Sequence, residues 1–226
     1  MENYQEQYKQ ELHQQEINSN LRTLKGFLWI FVTILILWLL TLVGIFIVDA
    51  GIFTMAVGMS VVIGIPVLYI YKKVDLSRDW VKYVLLALIC AISAVMAAFL
   101  SFHAVLIYVL PLLSAVQYRE RMTLWVTYAV NDVTMTLSML AGFYHGICDL
   151  NLLLGSNHTR DWYMEQWGAG TMQFSLEPDP VFTILFYGAL PRAVILLAFT
   201  FILRYISITS HEDGTSMEDY HQAVFV

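Results

Sequence analysis

The chain has 226 residues, of which 58% are hydrophobic and only 13% charged, with a formal net charge of -6. So apolar a composition exceeds that of water-soluble domains, and the acidic balance excludes nucleic acid as a partner, because phosphate binding needs clustered Lys and Arg. Cys90 and Cys148, the only two cysteines, lack CxxC spacing and cannot build a disulfide framework, so both thiols read as packing residues.

Residues 1–25 form a polar tail rich in Gln and Glu, without the basic stretch and short apolar core of a cleaved signal peptide. Tyr4, Tyr8 and Leu12 recur at four-residue spacing, and Ile17, Leu21 and Leu24 resume after a slip, a pattern that reads either as an amphipathic helix or as a solvated tail. Between residues 26 and 208 the apolar runs approach 20 residues, the length at which an α-helix crosses roughly 30 Å of hydrocarbon, and none alternates as a barrel strand would. The first span is expected over 27–48, a turn at Asp49-Ala50-Gly51, and the second span over 52–71. Within the second, Ser60 and Gly64 make a small pair for close helix approach, and Pro66 predicts a kink.

Lys72, Lys73, Asp75, Arg78, Asp79 and Lys82 then form a charged loop. The nearly unbroken apolar stretch over 83–117 would be about 50 Å of helix, too long for one crossing. It is expected to fold back at Ser101-Phe102-His103, giving spans over 80–100 and 104–118, the latter short and interrupted by Pro111. A fifth span over 124–144, a mainly polar external loop over 150–180, a sixth span over 181–203 and a short acidic tail over 209–226 complete the chain. Ten of the twelve Lys and Arg residues fall on one side of this arrangement, leaving Arg160 opposite and Arg192 inside the membrane. The positive-inside rule makes the basic side cytoplasmic. The expected fold class is therefore all-α: a polytopic integral membrane protein of the plasma membrane, six transmembrane helices in three hairpins, both termini cytoplasmic, with the lipid bilayer as its first partner.

Asp132 stands 11 residues after Arg121 and Arg192 stands 12 before Arg204, which puts both roughly 16 to 18 Å from the same ends of neighbouring spans. An ionised side chain at that depth costs about 2.5 to 3.5 kcal/mol on insertion scales, so the two have reason to pair or to face a wet cavity. Thr127, Asn131, Thr134 and Ser138 make one helical stripe, with Tyr128 and Asp132 on its flank. The stripe reads as a ligand or proton site in the bundle or as a device that fixes helix register.

At the outer face the candidates are His103, His145, Asp149, Trp162 and Trp167. His145, Cys148 and Asp149 share one helical face, but a metal site needs a further ligand, and no metal or cofactor is expected. The aromatic residues of the outer loop belong at a membrane interface or over a ligand pocket. No HExxH, GxSxG or phosphate-binding glycine loop occurs, and no second intramembrane acid joins Asp132, so an enzyme is not expected.

The runs Phe102-His103-Ala104, Leu110-Pro111-Leu112-Leu113-Ser114 to Tyr118, Gly146-Ile147-Cys148-Asp149-Leu150-Asn151 and Leu190-Pro191-Arg192 resemble the six-helix membrane regions of Firmicutes signalling proteins. In those, the membrane region precedes a diguanylate cyclase or histidine kinase domain, and the resemblance covers most of residues 27–207. It implies a bacterial plasma-membrane sensor region that forms a homodimer. The residues after Ile208 are too few for a catalytic domain, so the expected output is a separate cytoplasmic signalling protein. A small transporter or permease-type subunit and a membrane assembly factor are the other two readings.

Overall fold

A computed structural model describes residues 2–46, 49–100, 106–144 and 180–224, with side chains described over 13–46, 49–100, 106–144, 181–182 and 184–207. Within them every regular element is helical: α1 (Glu2–Leu42), α2 (Ala50–Lys73), α3 (Asp79–Leu100), α4 (Val109–Val116), α5 (Arg121–Tyr144), the single turn α6 (Pro180–Thr183), a π-helix (Ile184–Ala189) and α7 (Leu190–Val224). Four stretches, His13–Leu42, Ala50–Lys73, Asp79–Leu100 and Ile184–Ser207, are long and apolar enough to cross a membrane. Their outward faces leave Trp29, Val62, Leu68 and Ile195 more than half exposed, a surface that water penalises and hydrocarbon does not. The chain fits a multi-pass membrane protein.

The two remaining helices depart from a regular span for separate reasons. Helix α5 has the length of a crossing at 24 residues, but its Thr, Asn and Asp residues dilute the apolar run. Helix α4 with its leading turn, Leu106–Val116, covers 11 residues, about half a crossing at 1.5 Å per residue. Pro111 sits in its first turn, where a missing N–H costs nothing, and would break a helix begun much earlier.

The first hairpin closes earlier than the apolar pattern predicts. Helix α1 stops at Leu42 rather than continuing to residue 48, because Gly44 takes φ 81° and Ile45 N–H returns to the Leu40 carbonyl at 2.9 Å. That is the glycine-terminated helix end, with the left-handed position supplied by the one residue that adopts it freely. Helix α2 then starts under Asp49, whose Oδ1 accepts the Ile52 N–H at 2.8 Å, and it runs through Pro66 to Lys73.

Helix α3 occupies the centre, packed against α1, α2, α4 and α5. Val81, Leu85, Ile89, Ile92 and Met96 are essentially inaccessible, as the i, i+3, i+4 spacing of a deeply buried helix requires. At one end of the bundle α1, the α2–α3 connection and the α4–α5 connection come together. Arg22 and Lys25 on α1, Lys72 and Lys73 at the end of α2, Arg78 and Arg119 in the two connections, and Lys82 and Arg121 in the first turns of α3 and α5 lie at this end, which is called the basic end below. Helix α1 has 41 residues, about 60 Å of helix or twice the hydrocarbon thickness. Its amino-terminal half continues the membrane-crossing half without a break.

Candidate functional site

Among the described residues two groups of polar side chains are buried. The first is the stripe on α5, where Thr127, Asn131 and Ser138 are 5% exposed or less and Tyr128, Asp132 and Thr134 are half-buried. Most of it is satisfied within its own helix. Thr127 donates to the Thr123 carbonyl at 2.7 Å, Thr134 to that of Asn131 at 3.1 Å and Ser138 to that of Met135 at 2.8 Å. Asn131 Nδ2 reaches across to the Tyr108 carbonyl at 2.8 Å, and the Tyr108 hydroxyl meets the Ser138 hydroxyl, which ties the turn before α4 to α5. Two oxygens are left over: Asn131 Oδ1 and Asp132 Oδ1 are buried without a hydrogen-bond partner. Both are acceptors. A buried acceptor lacking a donor costs about 1 to 3 kcal/mol, and the species that would relieve it is a proton, a cation or a ligand N–H or O–H.

Among the described residues no ion pair joins Asp132 to Arg192, the contact expected from their depths. Their backbones are close, since the Tyr128 hydroxyl donates to the Ala193 carbonyl at 3.3 Å and the Trp125 ring stands edge-on to Phe201 at 5.4 Å. Their side chains diverge. Arg192 Nη1 points to Met139 Sδ at 3.1 Å, seven residues beyond Asp132 and thus about 10 Å along the helix. Side chains tilt toward the amino terminus of their own helix, and in two antiparallel helices that direction carries Arg192 one way and Asp132 the other. The outer-face candidates His103, His145, Asp149, Trp162 and Trp167 lie outside the described residues.

The second group lies at the basic end, and sequence reasoning missed it. Lys82, in the first turn of α3, is 5% exposed. Its Nζ lies 3.1 Å from Glu16 Oε1 on α1 and 2.9 Å from Glu120 Oε1 just before α5, and over the Tyr83 ring at 5.5 Å. Thr123 donates to the other Glu120 oxygen at 2.6 Å. Arg119 holds φ 56°, a left-handed turn that a non-glycine residue adopts at a cost, and this reversal brings Glu120 back onto the bundle. Burial disfavours the charge on Glu120, but the Thr123 and Lys82 hydrogen bonds outweigh it and hold the carboxyl below its ordinary value.

One turn along α1, Asn20 is wholly buried and fastened twice. Its Nδ2 donates to the Leu76 carbonyl of the α2–α3 connection at 2.8 Å, and its Oδ1 accepts from the Tyr118 hydroxyl at 2.8 Å. The same hydroxyl touches Thr23 Oγ1 at 2.9 Å, and burial pushes the Tyr118 phenol up to about 12. Ser19 donates to the Gln117 carbonyl at 3.2 Å. Glu16, Ser19, Asn20 and Thr23 thus line one helical face, spaced i, i+3, i+4 and i+7. A cleft of about 950 Å³ opens beside this clamp, lined by His13, Glu16, Asp79, Lys82, Arg119 and Glu120 among others. Its mixed signs select for no simple ion.

What the arrangement offers is a set of unfilled acceptors inside the bundle and a polar clamp that joins α1 to three other segments where it leaves the bundle. No protein-family model matches the chain, and neither does any curated protein or any solved structure, so the functional reading rests on these residues.

Proposed function

We propose that the chain is a six-span sensor of the bacterial plasma membrane, with both termini in the cytoplasm. It takes up a donor-bearing ligand, a cation or a proton on the polar face of α5 and hands the change to a separate cytoplasmic signalling protein through α1. The observation that carries this reading is the clamp. Lys82 and Asn20 bind the amino-terminal half of α1 to the α2–α3 connection, to α3 and to the α4–α5 connection, and α1 continues as one helix into the membrane. A rigid helix gripped on several sides moves when its neighbours shift, which is how packed helices pass on small displacements. The acceptors Asn131 Oδ1 and Asp132 Oδ1 supply the place where a ligand biases that movement.

A transporter reading uses the same Asp132 as a site on a proton or solute path. One variant separates the two. Asp132→Leu removes an unsatisfied buried oxygen, so the fold is expected to be at least as stable. On the sensor reading it changes hydrogen-exchange protection of the α1 amides over residues 13–25 in reconstituted protein, without altering any flux. Proton or solute flux through proteoliposomes that Asp132→Leu abolishes would establish transport instead. Protection of α1 identical to that of the unaltered protein would remove the link between the polar face and the clamp.

A further inference from the structure

A second opening lies on the membrane-facing surface between α1 and α2, away from both polar groups. It is a groove of about 570 Å³, within the roughly 300–1,000 Å³ of ligand pockets. Leu24, Phe27, Phe31, Val61, Val67 and Leu68 form most of its wall. Its depth depends on Gly64: a Cβ there would come 2.6 Å from Phe31 Cζ, so the absent side chain lets the ring lie against the α2 backbone. The groove is polar at one end only, where Lys25 and Tyr71 line it and no acidic residue does. Lys72 and Lys73 follow Tyr71 in the last turn of α2, and Arg22 precedes Lys25 by three residues on α1. Among the described residues Lys25, Lys72 and Lys73 enter no ion pair, whereas Lys82 is engaged twice.

An apolar slot with Lys25 at its mouth, and Lys72 next to the Tyr71 that closes its α2 wall, matches one kind of occupant. Acyl chains fill the slot, and basic pockets between membrane helices take anionic headgroups. A partner helix would leave the lysines unmatched, and a zwitterionic lipid would leave them half-matched. We propose that this groove is a binding site for an anionic phospholipid, one acyl chain lying along Leu24, Phe31 and Leu68 and the phosphate held at the mouth by Lys25 with Lys72 on the flank of the α2 wall. The site rests on α1 and α2 crossing a bilayer and is independent of the sensor reading, since it uses neither Asp132 nor the clamp. Occupied, it would brace α1 against α2 just below the point where the clamp grips.

The test reconstitutes the full chain in vesicles of equal parts phosphatidylcholine and phosphatidylglycerol, extracts it in mild detergent and weighs the retained lipid by native mass spectrometry. Phosphatidylglycerol is expected to be enriched on the unaltered protein, and the enrichment to fall with added salt. Each of Lys25→Gln and Lys72→Gln lowers it on the order of fivefold, as removal of one cation from an anionic surface should. Leu68→Trp, which fills the slot, removes the retained lipid with all lysines in place. Lipid at the vesicle composition on the unaltered protein, enrichment indifferent to salt, enrichment that survives the double Lys25→Gln, Lys72→Gln variant, or enrichment that survives Leu68→Trp would each overturn the proposal. The salt series needs no variant and decides the matter even if a substitution impairs folding.

Discussion

Replacing Lys82 by Ala unfastens α1 from the basic end and costs about 2 to 3 kcal/mol of stability, below the range for a fully buried ion pair because the Glu120 side chain is about half exposed to water. The cost arises less from the lost attraction than from what remains. Glu16 has its Oε1 buried, and without the ammonium at 3.1 Å the carboxylate is left without its partner or moves out together with α1. Moving out also breaks the Ser19 and Asn20 bonds one turn away. Denaturant or thermal unfolding in mild detergent measures the loss, and hydrogen exchange over residues 13–25 locates it. Lys82→Met combined with Glu16→Gln and Glu120→Gln is expected to recover most of the stability, because it removes all three charges together. The clamp also has an acid limit. The Glu120 carboxyl is depressed in the folded chain, so its stabilising contribution is complete above the ordinary glutamate value and disappears as pH falls through the lower folded value. In Lys82→Ala that acid limb becomes shallower.

Asn20→Leu is the second large effect, about 2 to 3 kcal/mol. The leucine fills the volume, but the Leu76 carbonyl loses its donor and the Tyr118 hydroxyl its acceptor, each a group at least partly withdrawn from water. A stranded polar group of this kind costs about 1 to 3 kcal/mol. Tyr118→Phe strands only Asn20 Oδ1 and should cost less. The double variant should cost less than the two singles together, because each single already breaks the shared bond. Unfolding of the three variants under one detergent condition measures the coupling; strict additivity would mean that the hydrogen bond between Asn20 and Tyr118 contributes nothing.

Apolar length carried the helical architecture a long way. The boundaries of α2, α3 and α5 follow their apolar runs within a few residues, the shortness of α4 follows from Pro111, and the buried stripe at Thr127, Asn131 and Ser138 follows from helical periodicity. The early stop of α1 was encoded in Gly44, a single residue inside an apolar run, whose weight becomes evident only when the chain turns there. Asp132 and Arg192 have matching depths but opposed side-chain directions, which sequence distance alone does not convey. The clamp was hidden for a different reason. Its face on α1 is polar, while a search for amphipathic helices looks for apolar faces, so Tyr4, Tyr8 and Leu12 drew attention and Glu16, Ser19, Asn20 and Thr23 did not. The available signal was Lys82: a lysine followed directly by an apolar run, with acids at Glu16 and Glu120 that the hairpin topology returns to the same end.

The docking of α1 is the claim on which the sensor reading depends. Its most direct measurement places Ser19→Cys and Gln117→Cys in a chain whose Cys90 and Cys148 are replaced by Ala, and bridges them in intact membranes with a short thiol-specific crosslinker. Ser19 Oγ and the Gln117 carbonyl lie 3.2 Å apart. The docked helix predicts an efficient crosslink without denaturant, at a rate that falls when Lys82→Ala is added; no crosslink in native membranes, or a rate untouched by Lys82→Ala, would contradict it.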